Sequence, residues 1–305
     1  MQLIHDFKLD VKVKIIKTRT EYNITIIIEV LKMMEKRDIH PLFLLLLVVL
    51  MALIPVLSEA LFGGPTPRTL WYIRIIDLVD ILFMTPIYII TYLYIYDRLS
   101  KGEKPGRYVN CLFVVMLSFF IGGHFMHFAT NAINTYAYEV KHYVIGKDIP
   151  RDVAALAYLL DEVVSHIIMF TTMYLMFSFF ILLDHEQGPT QPSNKRDSIV
   201  LTVAGVIFGT MLGIGAIEAQ MIYYILVLDI LLTIYIVVLT LKIKKTIEHL
   251  TDLINYRFTF FIVVSCLWLP LIALTYYLIF GSFIQPSEMF REGTSIIKIL
   301  LRVKK

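Results

Sequence analysis

The sequence predicts an all-α fold: a polytopic integral membrane protein with seven transmembrane helices in one bundle. Three observations carry that expectation. Hydrophobic residues make up 58% of the 305-residue chain, against roughly 45–50% in a soluble domain, and the mean hydropathy is +0.73. Charged residues amount to only 17% and cluster between long apolar runs. Seven of those runs reach about 20 residues, the length needed to cross a hydrocarbon core.

This composition makes membrane lipid the expected partner and a multi-pass position in the cell membrane the expected location. A formal charge of +3 gives no reason to expect a nucleic-acid partner. Cys111 and Cys266 both lie inside apolar runs, which supports neither a disulfide framework nor a thiolate zinc cluster.

The first 40 residues carry eight Lys and Arg and no span. They read as a basic extension, either disordered or upstream of a native start at Met33 or Met34. The spans fall near 41–62, 70–96, 108–137, 152–183, 198–218, 221–243 and 256–284. The first is too long for a signal-peptide core. Gly63-Gly64-Pro65-Thr66-Pro67 predicts a tight turn into the second. The polar linker from Asp184 to Asp197, with Gly188-Pro189 and Gln191-Pro192-Ser193, divides the chain into four spans and three. Residues 285–305 form a basic tail.

Loop charge sets the expected orientation. With the N-terminus cytoplasmic, the inner segments hold Lys36 and Arg37, Arg98 to Arg107, Lys195 and Arg196, and Lys242, Lys244, Lys245 and Arg257. The outer loops hold only Arg68, Lys141, Lys147 and Arg151. This predicts N-terminus inside and C-terminus outside, although the basic tail runs against it.

The third span contains Gly122-Gly123-His124-Phe125-Met126-His127-Phe128-Ala129-Thr130-Asn131. At about 100° per residue, His124, His127, Asn131 and Asn134 share an arc of roughly 80°. Such a stripe is costly in lipid unless it faces protein, water or an ion. In the fourth span, Glu162 and His166 stand one turn apart, and Asp161 points about 100° away from Glu162. His124 and His127 sit roughly 25–30 Å from the inner end of span three, and Glu162 and His166 roughly 15–20 Å from the outer end of span four. Asp77 and Asp80 enter from the same outer side, Glu218 closes span five there, and Asp229 lies roughly 12 Å into span six. The inner halves are close to purely apolar. One shared polar chamber in the outer half of the bilayer is the expectation.

Imidazole and carboxylate on facing helices suit a transition-metal ion such as Zn, Fe, Mn or Cu. The expected ligands are His124, His127, Glu162 and His166, with Glu218. Asn131, Asp77, Asp80 and Asp229 supply a second rank, while Asp77 also has the spacing of a plain ion pair with Arg74. Glu162 or Asp161 would act as general base. The reading is a metal-dependent enzyme, hydrolytic or oxidative, acting on a lipid or other membrane-soluble substrate. Alternatives are a proton or metal-ion transporter, and a b-type haem protein in which Gly122 and Gly123 admit the macrocycle between His124 or His127 and His166.

Other residues carry structural expectations. His142 and His185 fall in loops, His249 follows a basic inner segment, and His5 and His40 precede the first span. Gly205, Gly209 and Gly213 form a ridge that lets a neighbouring helix pack closely. Tyrosines near the span ends, such as Tyr92, Tyr223 and Tyr277, read as interface belts. Span seven has neither the His-x-x-x-His pair of the ceramidase and adiponectin-receptor hydrolases nor the lysine of retinal proteins, so no family's residues are carried over.

Overall fold

The computed structural model describes residues 39–62, 69–70, 73–100, 106–138, 151–189, 194–242 and 250–285. Within them lie seven helices long and apolar enough to cross a membrane. Helix α1 is Pro41–Phe62. Helix α2, Ile75–Leu99, opens with an α-helical turn, passes through a π-helical turn at Asp80–Met84 and continues as Thr85–Leu99. Helix α3 is Arg107–Tyr138. Helix α4 begins as Arg151–Tyr158, widens into a π-helical segment at Leu159–Ser165 and runs on as His166–Gln187. Helices α5, Lys195–Glu218, α6, Ile222–Lys242, and α7, Arg257–Phe280, complete the set. The N-terminal extension through residue 38 and the tail from residue 286 lie outside the described residues.

Most span ends fall within about four residues of the sequence expectation, and two of the differences bear on the polar residues. The second span does not begin at residue 70. Strands β1, Thr69–Leu70, and β2, Ile73–Arg74, pair in a two-residue antiparallel ladder first. β-Branched Thr69 and Ile73 favour extended backbone there, and Arg74 is still extended at φ −65°, ψ 140°. The fourth span does not stop at 183. It continues to Gln187, where Gly188 breaks it at φ +78°, a value that suits a residue without Cβ. Asp184 and His185 are therefore helical, and His185 is not a loop residue.

Helix α4 is the centre of the bundle. Over half of its span, 56%, is buried, against 28% for α2, α3 and α6. Its neighbours fill a mostly aromatic core in which Phe180 meets Phe258 edge-on at 5.5 Å and Phe177 meets Phe208 at 5.7 Å. The outward faces carry exposed Leu46, Val56, Leu82, Leu231 and Leu278. A continuous apolar exterior of this kind belongs in lipid.

Helix α5 packs on α7 and α1, and α3 packs on α4. The glycine ridge is the α5–α7 contact. A Cβ on Gly209 would come within 2.7 Å of the Ser265 carbonyl oxygen, and one on Gly205 within 2.9 Å of the Phe261 carbonyl oxygen.

Hydrogen bonds fix the alternation of the helices. At one end, Arg257 of α7 reaches Ile39 before α1 and Asp197 of α5, and Gln187 of α4 reaches the carbonyl of Arg98 in α2. At the other, Asn131 of α3 reaches Asp77 of α2, and Gln285 after α7 reaches the carbonyl of Glu218 in α5. The two are called below the Arg98 end and the Glu218 end.

Candidate functional site

The site grows from three helix segments at the Glu218 end. Arg74 donates to Asp77 from Nε at 3.0 Å and from Nη2 at 2.9 Å. Asn131 Nδ2 donates to the same carboxylate at 3.0 Å. Asp77 is thus committed to a clamp between α2 and α3, and its two oxygens are already engaged by cationic and amide donors.

Three residues further, Asp80 opens the π-helical turn of α2. Its Oδ2 lies 3.8 Å from Nδ1 of His124, which is only 8% exposed. The His124 ring sits against Phe120 at 4.9 Å and Tyr88 at 5.4 Å. An aromatic wall therefore holds the imidazole away from lipid.

The π-helical segment of α4 carries Asp161 and Glu162. Such turns insert a residue into the helix and recur at functional sites. Asp161 is completely buried, with Oδ1 2.8 Å from Nδ1 of His127. The contact has ion-pair distance but falls short of hydrogen-bond alignment. The Ser165 hydroxyl donates to the Asp161 carbonyl, bracing the widened turn.

His166 begins the regular part of α4, and its Nδ1 lies 2.9 Å from the carbonyl oxygen of Glu162. A carbonyl only accepts, so Nδ1 carries the hydrogen, and in the neutral ring Nε2 keeps its lone pair. The His127 and His166 rings stand 4.8 Å apart between centroids. Phe170 stacks on His166 at 6.1 Å.

No family model matches the chain, and no curated protein or solved structure is significantly similar to it. The reading of the site therefore rests on its own geometry.

The structure brings Asp80, His124, His127, Asp161, Glu162 and His166 into one neighbourhood. Asp161, Asp80 and Glu162 surround His127, and His127, Asp161 and His124 surround His166. Glu218, the last residue of α5, is close enough for its charge to bear on Glu162. Among the described residues, however, no three His, Cys, Asp or Glu side chains are drawn together closely enough to hold a metal ion between them. The tightest pairing is His127 with Asp161 and with His166.

Asp229 lies elsewhere. It faces Tyr174 and Cys266 in the middle of the bundle, eight residues further along α4 than His166, or about 12 Å.

The structure also places polar groups at the Arg98 end, where the sequence led us to expect an apolar inner half. Asp184 of α4 is buried and accepts from the Thr259 amide at 2.9 Å and its hydroxyl at 2.8 Å. It thus caps the first turn of α7, where a carboxylate satisfies an orphan N–H and complements the helix dipole. His185 is 7% exposed and stacks on Tyr256 at 4.3 Å. Neither of its ring nitrogens has a hydrogen-bond partner. Arg98 is 2% exposed, with its guanidinium 5.2 Å from the centroid of the Tyr94 ring. The missed signal is the Asp-His pair that ends the apolar run of span four. A helix extended by one turn carries both residues inside.

Proposed function

We propose that this chain is a membrane-embedded enzyme that holds one transition-metal ion at the His127–His166 pair and acts on a lipid or another membrane-soluble substrate. One observation carries the reading: two imidazoles 4.8 Å apart, His166 with Nδ1 hydrogen-bonded to the Glu162 carbonyl and His127 with Nδ1 at ion-pair distance from the Asp161 carboxylate. Metal-ligating histidines are backed in this way, which fixes the tautomer and raises the basicity of the other nitrogen.

The remaining donors would come from His124, Glu162 or Glu218, with Asp80 behind His124. Imidazole and carboxylate suit Zn, Fe, Mn or Cu. Such an ion would supply Lewis-acid chemistry, or electron transfer if it is Fe or Cu. Glu162 is half-buried and is the better proton acceptor, because Asp161 is occupied in orienting His127. The haem alternative loses support at Gly123, since the space beside its Cα is filled by Met169 of α4.

Metal analysis of detergent-purified protein tests the proposal. About one ion per chain is expected in wild type. His166→Ala should lose the ion while keeping its helical circular dichroism. Wild-type protein without stoichiometric metal under non-chelating conditions would overturn it.

A second reading is proton or metal-ion translocation. Buried Asp184 and His185 favour it, because they give α4 titratable groups at both ends. Proteoliposomes loaded with a pH-sensitive dye test this, and His185→Gln should slow any flux the wild type supports.

A further inference from the structure

We propose that Asp229 anchors a second site, in the middle of the bundle, that binds one exchangeable monovalent cation, supplied as a proton or as a sodium ion. The inference is independent of the metal reading.

Asp229 projects from α6 into the bundle and is 4% exposed. The Tyr174 hydroxyl of α4 donates to its Oδ1 at 3.4 Å, and the Cys266 thiol of α7 is in hydrogen-bonding contact with the same carboxylate. Beside it runs a small gap lined by Phe177, Phe208, Leu212, Leu232, Ile262 and Ser265, together with these three residues. No Lys, Arg or His lines that gap. The titratable groups facing Asp229 are thus Tyr174 and Cys266, both neutral hydrogen donors, and Thr233 reaches Cys266 from one turn along α6.

A carboxylate buried with no basic side chain beside it costs several kcal/mol as a bare anion. Two neutral donors offset only part of that. A monovalent positive charge on the carboxylate removes the cost, and the gap has room for about one water molecule beside it. That volume admits a proton shared with water, or a sodium ion held by Asp229 with hydroxyl oxygen from Tyr174 or Ser265.

Thermal unfolding of the detergent-purified full chain, in choline chloride and in sodium chloride at equal ionic strength and across pH, reads out the site. A sodium site raises wild-type Tm by at least about 2–4 °C when sodium replaces choline. A proton site gives no sodium effect, but it shows a protonated-carboxyl C=O band in the infrared that shifts in D2O. Asp229→Asn should abolish whichever signature the wild type gives. If Asp229→Asn does not fold, Tyr174→Phe, which removes a donor to the same carboxylate, should shift the carboxyl band or weaken the sodium effect, and no change in either would overturn the proposal. Absence of both the sodium effect and the exchangeable carboxyl band overturns the proposal. So does either signature persisting unchanged in a folded Asp229→Asn protein.

Discussion

Asp161 and His127 show how much one contact governs at this site. Asp161 has no exposure and meets His127 Nδ1 at 2.8 Å, while the His127 side chain remains 25% exposed. A buried carboxylate facing one nitrogen favours the tautomer that leaves the other available. Asp161→Asn keeps the shape and removes the charge. With metal bound as proposed, metal affinity should fall by about 10- to 100-fold, measured by competition with a chelator, with little change in helical content. An unchanged affinity would remove Asp161 from its orienting role. Asp77, by contrast, belongs to the clamp with Arg74 and Asn131, and its loss should loosen α2 from α3 before it touches chemistry. Thr259→Val tests the other structural carboxylate. It removes the hydroxyl hydrogen bond to Asp184, and a loss of about 1–3 kcal/mol is expected from the buried carboxylate left short of a donor, read as a lower Tm.

At the scale of the element, glycine spacing and helix widening do separate jobs. The ridge on α5 exists so that α7 can approach to backbone contact. Gly209→Ala would drive a methyl group against the Ser265 carbonyl at 2.7 Å, which backbone cannot yield as a side chain can. We expect a cost of about 1–3 kcal/mol and a lower Tm. Gly122, in α3, has open space beside it. Gly122→Ala should be neutral or stabilising, by roughly 0.5–1 kcal/mol in helix propensity. The two substitutions share their chemistry and differ only in what lies across the interface. The widened turns of α2 and α4 both coincide with acidic residues near the histidines, Asp80 and Asp161 with Glu162. In a regular helix the last two would point about 100° apart, which is the geometry the spacing alone gives.

At the scale of the molecule, the bundle is polar at both ends of α4 and again at Asp229 beside Tyr174, with a densely apolar layer between Tyr174 and Asp184, where Met176, Phe180 and Ile181 are fully buried. A translocation path would have to cross that layer, which is why an enzyme confined to one end is the better reading. Loop charge alone predicts which end faces the cytoplasm. With Cys111 replaced by Ser, a cysteine at Gln220 should react with a membrane-impermeant maleimide on intact cells, and one at Glu186 should not. The reverse pattern would invert the orientation that loop charge predicts and put the His127–His166 pair on the inner side.

Seven spans and the polar stripe on α3 were legible in the residues, because hydropathy and helical period are local properties that lipid enforces on each segment separately. So was the glycine ridge, though not its partner. The partners were decided elsewhere. Nothing in the spacing says that Asn131 joins Asp77 and Arg74, that Asp229 sits with Tyr174 and Cys266 rather than with the histidines, or that His185 lies inside the helix against Tyr256. Those assignments depend on the rotation and depth of helices distant in sequence. Such settings follow from close packing of whole surfaces, to which no single residue's hydropathy is sensitive.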